Sequence, residues 1–429
     1  MAKVYLLSLG CPKNLVDSQG LLRKLGDRGM AYSPSPEESD ILVVNTCGFI
    51  EEAKRESIEE ILRIAGFKKK GRDKKLIVYG CLAKRFGGEL RKEIPEIDAL
   101  WGVGSEDEIV AYCESLGVPA AKNKGKRAAP GLEQSPYGYL KIAEGCDRGC
   151  GYCVIPEIRG KFRSRDPKEI LAEAEDLTRA GTSELILVAQ DITSYGKDLT
   201  GYDLSRLVRE IGAIRGDFRI RFLYLYPTAI DDHLLETISS EEKVCNYIDM
   251  PLQHSERDIL KLMGRGGSRT YFEKLIRKIR EKVPGVSIRT TFIVGFPGET
   301  DEDFDHLMKF VRKMKFERLG AFTYSKEVGT PAAMLKGQIG KRKKVERYRK
   351  LMEMQSAISF EKNKELIGRT FRALVDDIDD GVAVARLSSQ APEIDGVVFL
   401  EEKGLLKGTF VNIRITEAFD YDLKGTIVK

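Results

Sequence analysis

The densest group of reactive side chains in this 429-residue chain is Cys146-Asp-Arg-Gly-Cys150-Gly-Tyr-Cys153. Three thiolates this close can hold three irons of a 4Fe–4S cluster and leave the fourth iron open to a ligand. A structural zinc would want four ligands, and no fourth stands nearby in the sequence. A second set is dispersed: Cys11, Cys47 and Cys81, spaced 36 and 34 residues apart. Each follows a short apolar run (Val4–Leu7, Ile41–Val44, Leu76–Tyr79) and comes directly after Gly10, Thr46 or Gly80. Three unrelated buried cysteines would also be ordinary, but they would not recur at matched intervals behind strands. Successive strands of a parallel sheet deliver their following loops to one edge, so this triad could bind a second 4Fe–4S cluster. Cys113 and Cys245 lack partners by spacing and read as structural.

The elements that must position these thiols are legible in outline. The interval between the dispersed cysteines is about one strand–helix–strand step, which predicts a small parallel α/β domain over residues 1–118, with helices at Ser18–Arg28 and Phe49–Ile64. Residues 119–135, carrying the charge run Lys122–Arg127, read as a solvated linker. From 136 to 364 six strand candidates alternate with helices: Tyr139–Ala143, Leu185–Ala189, Arg219–Leu225, Tyr247–Met250, Ser287–Val294 and Leu319–Thr323. That pattern predicts a partial (β/α) barrel whose chemistry sits at the C-terminal strand ends. The basic segment Lys341–Lys364 reads as a helix packing through Val345, Tyr348, Leu351, Met354 and Ile358. Five short alternating segments in 367–429 predict a small antiparallel β-barrel. The fold class is therefore α/β with a β-barrel appended.

Composition narrows the function classes. Hydrophobic residues make up 42% and charged residues 32%, and the apolar runs are far shorter than the roughly 20 residues of a spanning helix. No membrane role is expected. The start Met1-Ala2-Lys3 leads straight into an apolar run with no leader pattern, so a cytoplasmic location is expected. There the eight cysteines are not expected to form disulfides. The net charge of +5 is too mild to imply a nucleic-acid partner by itself.

The cysteine triplet, with the aromatic Tyr152 before its last member, resembles the radical S-adenosylmethionine enzymes. So does Ile293-Val-Gly295-Phe-Pro-Gly298-Glu299 on a late strand. The resemblance implies that the open iron chelates S-adenosylmethionine and that reductive cleavage releases a 5′-deoxyadenosyl radical. It makes Tyr152 a cofactor-binding residue and places Gln190, beside Asp191, and Gln253 near the methionine amine, and Gly295 beside the adenine. With the N-terminal triad and the C-terminal barrel, the whole chain is similar to the methylthiotransferases. The segments Ser8–Asp17, Tyr226-Pro227, Met250–His254 and Asp420–Gly425 look like the branch that methylthiolates an aspartate of a small-subunit ribosomal protein. The sister branch, acting on isopentenylated adenosine in tRNA, usually carries Gln-Met-Asn in place of Pro12-Lys13-Asn14.

The resemblance implies two 4Fe–4S clusters, S-adenosylmethionine as both methyl donor and radical source, and a low-potential electron donor. One S-adenosylmethionine would methylate a sulfur at the N-terminal cluster. A second would supply the radical that takes hydrogen from the aspartate β-carbon. A radical is needed because no protein base can ionise that bond. The cysteines act as ligands and no side chain is needed as a general base. The last domain holds eight Lys/Arg against eleven Asp/Glu, net −3, which suits a basic protein partner better than RNA. The rival readings are tRNA methylthiolation and a non-catalytic iron–sulfur sensor or RNA-binding protein. His233 and His306 read as surface residues, while His254 reads equally as structural or substrate-facing.

Overall fold

The computed structural model describes residues 2–70, 73–117, 135–402 and 404–428. The expected linker lies outside these except for Ser135. The chain divides into two compact units. The first comprises the described residues up to 117, joined by Gly145–Asp147 and Val154–Lys161. The second comprises residues 135–144, Arg148–Cys153 and the described residues from Phe162 onward.

The first unit is built on a parallel sheet of five strands: β1 (Lys3–Ser8), β2 (Ala31–Tyr32), β3 (Ile41–Thr46), β4 (Lys75–Gly80) and β5 (Ala99–Trp101), in the order β2-β1-β3-β4-β5. Central β3 is buried along its full length, as an unbroken apolar run requires when helices cover both faces. Leu21, Leu25, Ile109 and Cys113 pack on one face; Ile61, Ile64, Leu82 and Leu90 pack on the other. The first helix runs Pro12–Asp27, six residues ahead of its expected start. Pro12 suits the first helical turn, where its missing N–H costs nothing.

The second unit opens with β6 (Tyr137–Lys141) and an antiparallel pair, β7 (Ala143–Glu144) with β8 (Arg163–Ser164). Five more strands follow: β9 (Glu184–Val188), β10 (Arg219–Phe222), β11 (Tyr247–Asp249), β12 (Ser287–Val294) and β13 (Arg318–Thr323). They form two parallel three-stranded sheets, β10-β9-β6 and β11-β12-β13, linked by a parallel bridge between Ile220 and Val244. The result is an open barrel of six parallel strands. Its core includes Leu187, Phe222, Ile248, Ile288 and Phe292.

The helix Lys341–Lys364 packs differently from the expected stripe. Val345 and Tyr348 are exposed, while Arg347, Leu351, Gln355, Ser359 and Asn363 are buried. The inward face is held by hydrogen bonds: Gln355 Nε2 donates to the Phe316 carbonyl at 2.9 Å and Asn363 Nδ2 to the Phe419 carbonyl at 2.9 Å. Leu351 of the expected stripe is buried in the core and Met354 and Ile358 pack against it, so apolar spacing found the inward side from Leu351 onward but missed its polar residues.

The chain ends in a closed barrel of β14 (Thr370–Asp379), β15 (Val382–Leu387), β16 (Val398–Leu400), β17 (Phe410–Ala418) and β18 (Leu423–Ile427), ordered β14-β15-β16-β18-β17. All pairs are antiparallel except β16 with β18. This barrel packs on the N-terminal ends of the six core strands. Tyr137, at the start of β6, donates to Glu393 at 2.9 Å. Tyr247, at the start of β11, donates to Asp395 at 2.7 Å. At the centre Glu184 is fully buried and takes three guanidiniums: Arg219 at 2.6 Å, Arg221 at 2.6 Å and Arg386 at 3.0 Å. Burial alone would raise its carboxyl, but the three cations hold it far below the carboxylate range. Arg386 also pairs with Asp376.

Candidate functional site

In the first unit the three dispersed cysteines stand where their strands end. Cys11 caps the helix Pro12–Asp27, and Cys81 is the first residue of the helix Cys81–Glu93. Both thus sit at the positive end of a helix dipole, which favours a thiolate. Cys47 is fixed by Ser57, whose hydroxyl accepts the Cys47 amide at 3.0 Å and donates to its carbonyl at 2.9 Å. Gly10 has a φ of +88°, and a Cβ there would come within 2.9 Å of Cys47 Sγ. Only glycine lets the Cys11 turn approach Cys47 this closely.

Asn14 ties the three loops together. Its amide donates to the carbonyls of Leu9 (2.9 Å) and Thr46 (3.2 Å). Its oxygen accepts from Arg159 at 2.7 Å and from the Cys81 thiol at 3.7 Å. Arg159, from the short helix Ile155–Arg159, also pairs with Asp17 at 3.1 Å and reaches Cys81 Sγ at 3.9 Å. Burial pushes the Cys81 thiol up to about 11; Arg159 opposes this, and neighbouring Cys47 and Cys11 add to it.

The triplet loop divides between the units. Gly145–Asp147, with Cys146, packs with the first, and Arg148–Cys153 with the second. In the second unit the Cys153 amide donates to the Cys150 carbonyl at 3.1 Å, and the Gly151 amide donates to Met263 at 2.8 Å. Gly264, at a φ of +66°, would place a Cβ 2.4 Å from the Gly149 carbonyl oxygen. The turn carrying Arg265 is thus pressed against the cysteine loop along a seam that a side chain would prise apart. Tyr152 is packed among Ile259, Met263, Phe296 and Tyr324. Arg265 reaches its hydroxyl at 3.5 Å, Cys150 Sγ at 3.8 Å and the Pro251 carbonyl at 2.7 Å. Arg148 and Arg265 both lie against the Tyr226 ring, at 3.9 and 4.5 Å from its centre. Arg148 is oriented by Asp191 at 2.8 Å.

Gln190 and Gln253 follow β9 and β11 at the C-terminal edge. Gln190 Nε2 donates to Glu144 at 3.0 Å, while the side-chain oxygens of both glutamines are buried with no hydrogen-bond partner. Gln253 also holds a φ of +70°. Two orphaned carbonyl oxygens on one edge suit an ammonium group, since leaving them unpaired costs about 1–3 kcal/mol each. The amides of Gly295 and Phe296 are engaged by Glu299, at 2.7 and 3.2 Å. Arg347 fixes that carboxyl at 2.7 Å, and burial raises it to about 7. A Cβ on Gly295 would meet Lys344 at 2.4 Å, so this glycine admits the basic helix.

Family models match three segments: an uncharacterized protein family, UPF0004, over residues 3–102, the Radical SAM superfamily over 140–311, and the TRAM domain over 367–428. A ribosomal protein uS12 methylthiotransferase from Thermodesulfovibrio yellowstonii is 51% identical over 432 residues, covering 100% of both chains. The chain belongs to the uS12 methylthiotransferase family. A second member, from Lachnoclostridium phytofermentans, is 46% identical and covers 99% of both chains. Among solved structures, the radical S-adenosylmethionine methyltransferase TsrM of Kitasatospora setae shares the fold at a TM-score of 0.59 and 14% identity, covering 90% of this chain and 81% of that one.

Within this methylthiotransferase, no three His, Cys, Asp or Glu side chains among the described residues are arranged to hold a single metal ion. A four-iron cube takes one thiolate per iron, so its ligands stand wider apart than those of one ion. All-thiol sets of three are the donor chemistry that such a cube takes, and the residues fit it. Cys113 and Cys245 are buried core residues, at 0% and 3% exposure. His254 is fully buried, and its Nδ1 accepts the Glu256 amide at 3.0 Å, a structural role. Arg148, Arg159, Arg265 and Glu299 escaped the sequence reading. Their signals were position inside the triplet, the glycines flanking Arg265, and the Gly-x-x-Gly-Glu turn. No described helix is long and apolar enough to cross a membrane.

Proposed function

We infer that this chain is a radical S-adenosylmethionine methylthiotransferase that modifies an aspartate of ribosomal protein uS12 at its β-carbon. The full-length match to the uS12 methylthiotransferases carries this reading, and the two separate sets of three thiols support it. Cys146, Cys150 and Cys153 ligate one 4Fe–4S cluster, and Cys11, Cys47 and Cys81 the other. When bound, the clusters and S-adenosylmethionine supply the 5′-deoxyadenosyl radical and the methylthio group.

The protein's own groups bind and orient. The orphaned oxygens of Gln190 and Gln253 accept from the methionine ammonium. Tyr152 packs under the loop and holds Cys150 and Cys153 in place from below. Gly295 lets Lys344 close the late-strand turn, whose backbone lies beside the adenine, and Glu299 fixes that turn by taking its amides. Asn14 keeps the three N-terminal loops in register. The electron donor is a low-potential reductant, the substrate is uS12 either free or within the small subunit, and the reaction belongs to the cytoplasm.

The test is mass spectrometry of uS12 from cells with and without this chain, beside isopentenylated tRNA as the rival substrate. A methylthio mass increment on the uS12 aspartate supports the reading; an increment on tRNA alone overturns it. Reconstituted protein should hold about eight irons. Each triple Cys→Ala variant should lose half, and a variant that kept the full load would remove its cysteines from the ligand set.

A further inference from the structure

Each thiol set has a guanidinium against one of its sulfurs, buried for Arg159 and partly buried for Arg265. Arg265 Nη1 lies 3.8 Å from Cys150 Sγ, and Arg159 Nη2 lies 3.9 Å from Cys81 Sγ. Arginine stays charged in any protein environment, so each site carries a permanent positive charge beside a ligand sulfur. The two differ in what else they hold. Arg159 is paired with the Asp17 carboxylate at 3.1 Å, with both side chains nearly fully buried. Apart from the thiol, the described partners of Arg265 are uncharged: the Pro251 carbonyl, the Tyr152 hydroxyl and the Tyr226 ring. The nearby carboxylate of Asp191 is taken by Arg148 at 2.8 Å. That pair cancels itself and leaves the charge of Arg265 unbalanced.

We propose that Arg265 and Arg159 set the relative reduction potentials of the two clusters, with Arg265 biasing the electron toward the triplet loop. The proposal rests on the six cysteines being the ligands. A cation donating to a ligand thiolate stabilises the reduced cluster, which carries one more negative charge, and so raises its potential. At the N-terminal site Asp17 offsets that gain, because an ion pair at close range in a poorly polarisable interior nearly cancels its own field. At the triplet site only dipoles face the guanidinium, and dipoles do not cancel a net charge. Both arginines act through the thiolates and are positioning residues. The arrangement gives the more favourable potential to the cluster that must be reduced to open S-adenosylmethionine.

The test is potentiometric titration of the full-length chain followed by electron paramagnetic resonance, with the other cluster removed by its triple Cys→Ala variant. Arg265→Met should lower the triplet cluster's midpoint by at least a tenfold step in the one-electron equilibrium, about 59 mV. Arg265→Lys should restore most of that shift, because it keeps the charge. Asp17→Asn should raise the N-terminal cluster's midpoint, the opposite sign. An unchanged midpoint in Arg265→Met, equal shifts in Met and Lys, or no rise in Asp17→Asn would each overturn the proposal. Should Arg265→Met fail to take up iron, the sign of the Asp17→Asn shift decides. Iron content separates the two failures: wild-type iron retained by a triple variant defeats the ligand reading, whereas clusters present with unmoved potentials defeat only the proposal.

Discussion

The two ends of the six-stranded core bury different kinds of polar group. At the N-terminal ends, Glu184 is surrounded by Arg219, Arg221 and Arg386, with Asp376 paired to Arg386, so three cations meet two carboxylates and Arg221 Nη2 is left without a hydrogen-bond partner. At the C-terminal ends, the oxygens of Gln190 and Gln253 are left without partners. The first end is closed by the C-terminal barrel and holds fixed charge to lock two pieces together. The second keeps acceptors unsatisfied, a local cost borne where a ligand is to be received. Paired ions mark the joint, and neutral unpaired acceptors mark the site.

The comparison is broken most strongly from below. Glu184→Ala would leave three buried guanidiniums without their shared counter-charge and should cost about 3–5 kcal/mol, read by denaturant unfolding of the full chain. Asp376→Asn removes one charged partner of Arg386 and should cost about 1.5–3 kcal/mol. Asp379→Asn and Asp380→Asn, on exposed positions, should leave the same curve within about 0.5 kcal/mol. Equal effects at all four positions would show that the buried network does not join the barrel to the core. Asp376 is therefore a poor choice for probing partner docking, since its reversal would disturb the joint itself.

An intermediate effect comes from His254, whose burial lowers its pKa to about 4. The unfolded chain binds a proton near pH 6.5 while the folded chain does not, so this contribution is intact above pH 6.5 and is lost as pH falls toward 4. At pH 5 the penalty is about 2 kcal/mol. His254→Gln should flatten the fall in thermal midpoint between pH 7.5 and 5, and an unchanged slope would argue against a neutral buried imidazole. A small effect on stability is expected at the open end. Gln190→Ala and Gln253→Ala should each change stability by less than about 1 kcal/mol yet weaken S-adenosylmethionine binding about tenfold, or 1.4 kcal/mol. Calorimetry at equal cluster loading checks this, and a large stability loss without weaker binding would remove both from the site.

The open end was the more legible in sequence, because its signals are residue types. A CxxxCxxC triplet and cysteines behind successive strands stand out without any knowledge of packing, and the strand at Ser287–Val294 matches the structure end to end. The closed end was nearly invisible. Glu184, Arg219 and Arg386 are single charges at strand ends, and only the fold brings residues 184 and 386 together. Helix Lys341–Lys364 was half legible for a related reason: Leu351, Met354 and Ile358 pack inward as their spacing predicts, but the inward face also carries Gln355 and Asn363, whose amides donate to backbone carbonyls and which hydrophobic spacing does not reveal. The docking role expected of the acidic barrel also needs restating. The barrel sits at the strand ends away from Gln190 and Gln253, so its acidic surface can hold a partner without covering the edge where these residues lie.

The helix Ile155–Arg159 belongs to the first unit, packing Val154 and Ile158 against Cys81, Phe49 and Val103. Asp17 meets Arg159 across 142 residues of chain. A ribosome making this protein releases the five-stranded sheet long before it releases the segment that completes it. At about 5–20 residues per second the wait from residue 117 to residue 161 is roughly 2–9 s. A chain ending at residue 117 lacks Arg159 altogether, so Cys81 and Asp17 lose the cation that the full-length chain sets beside them.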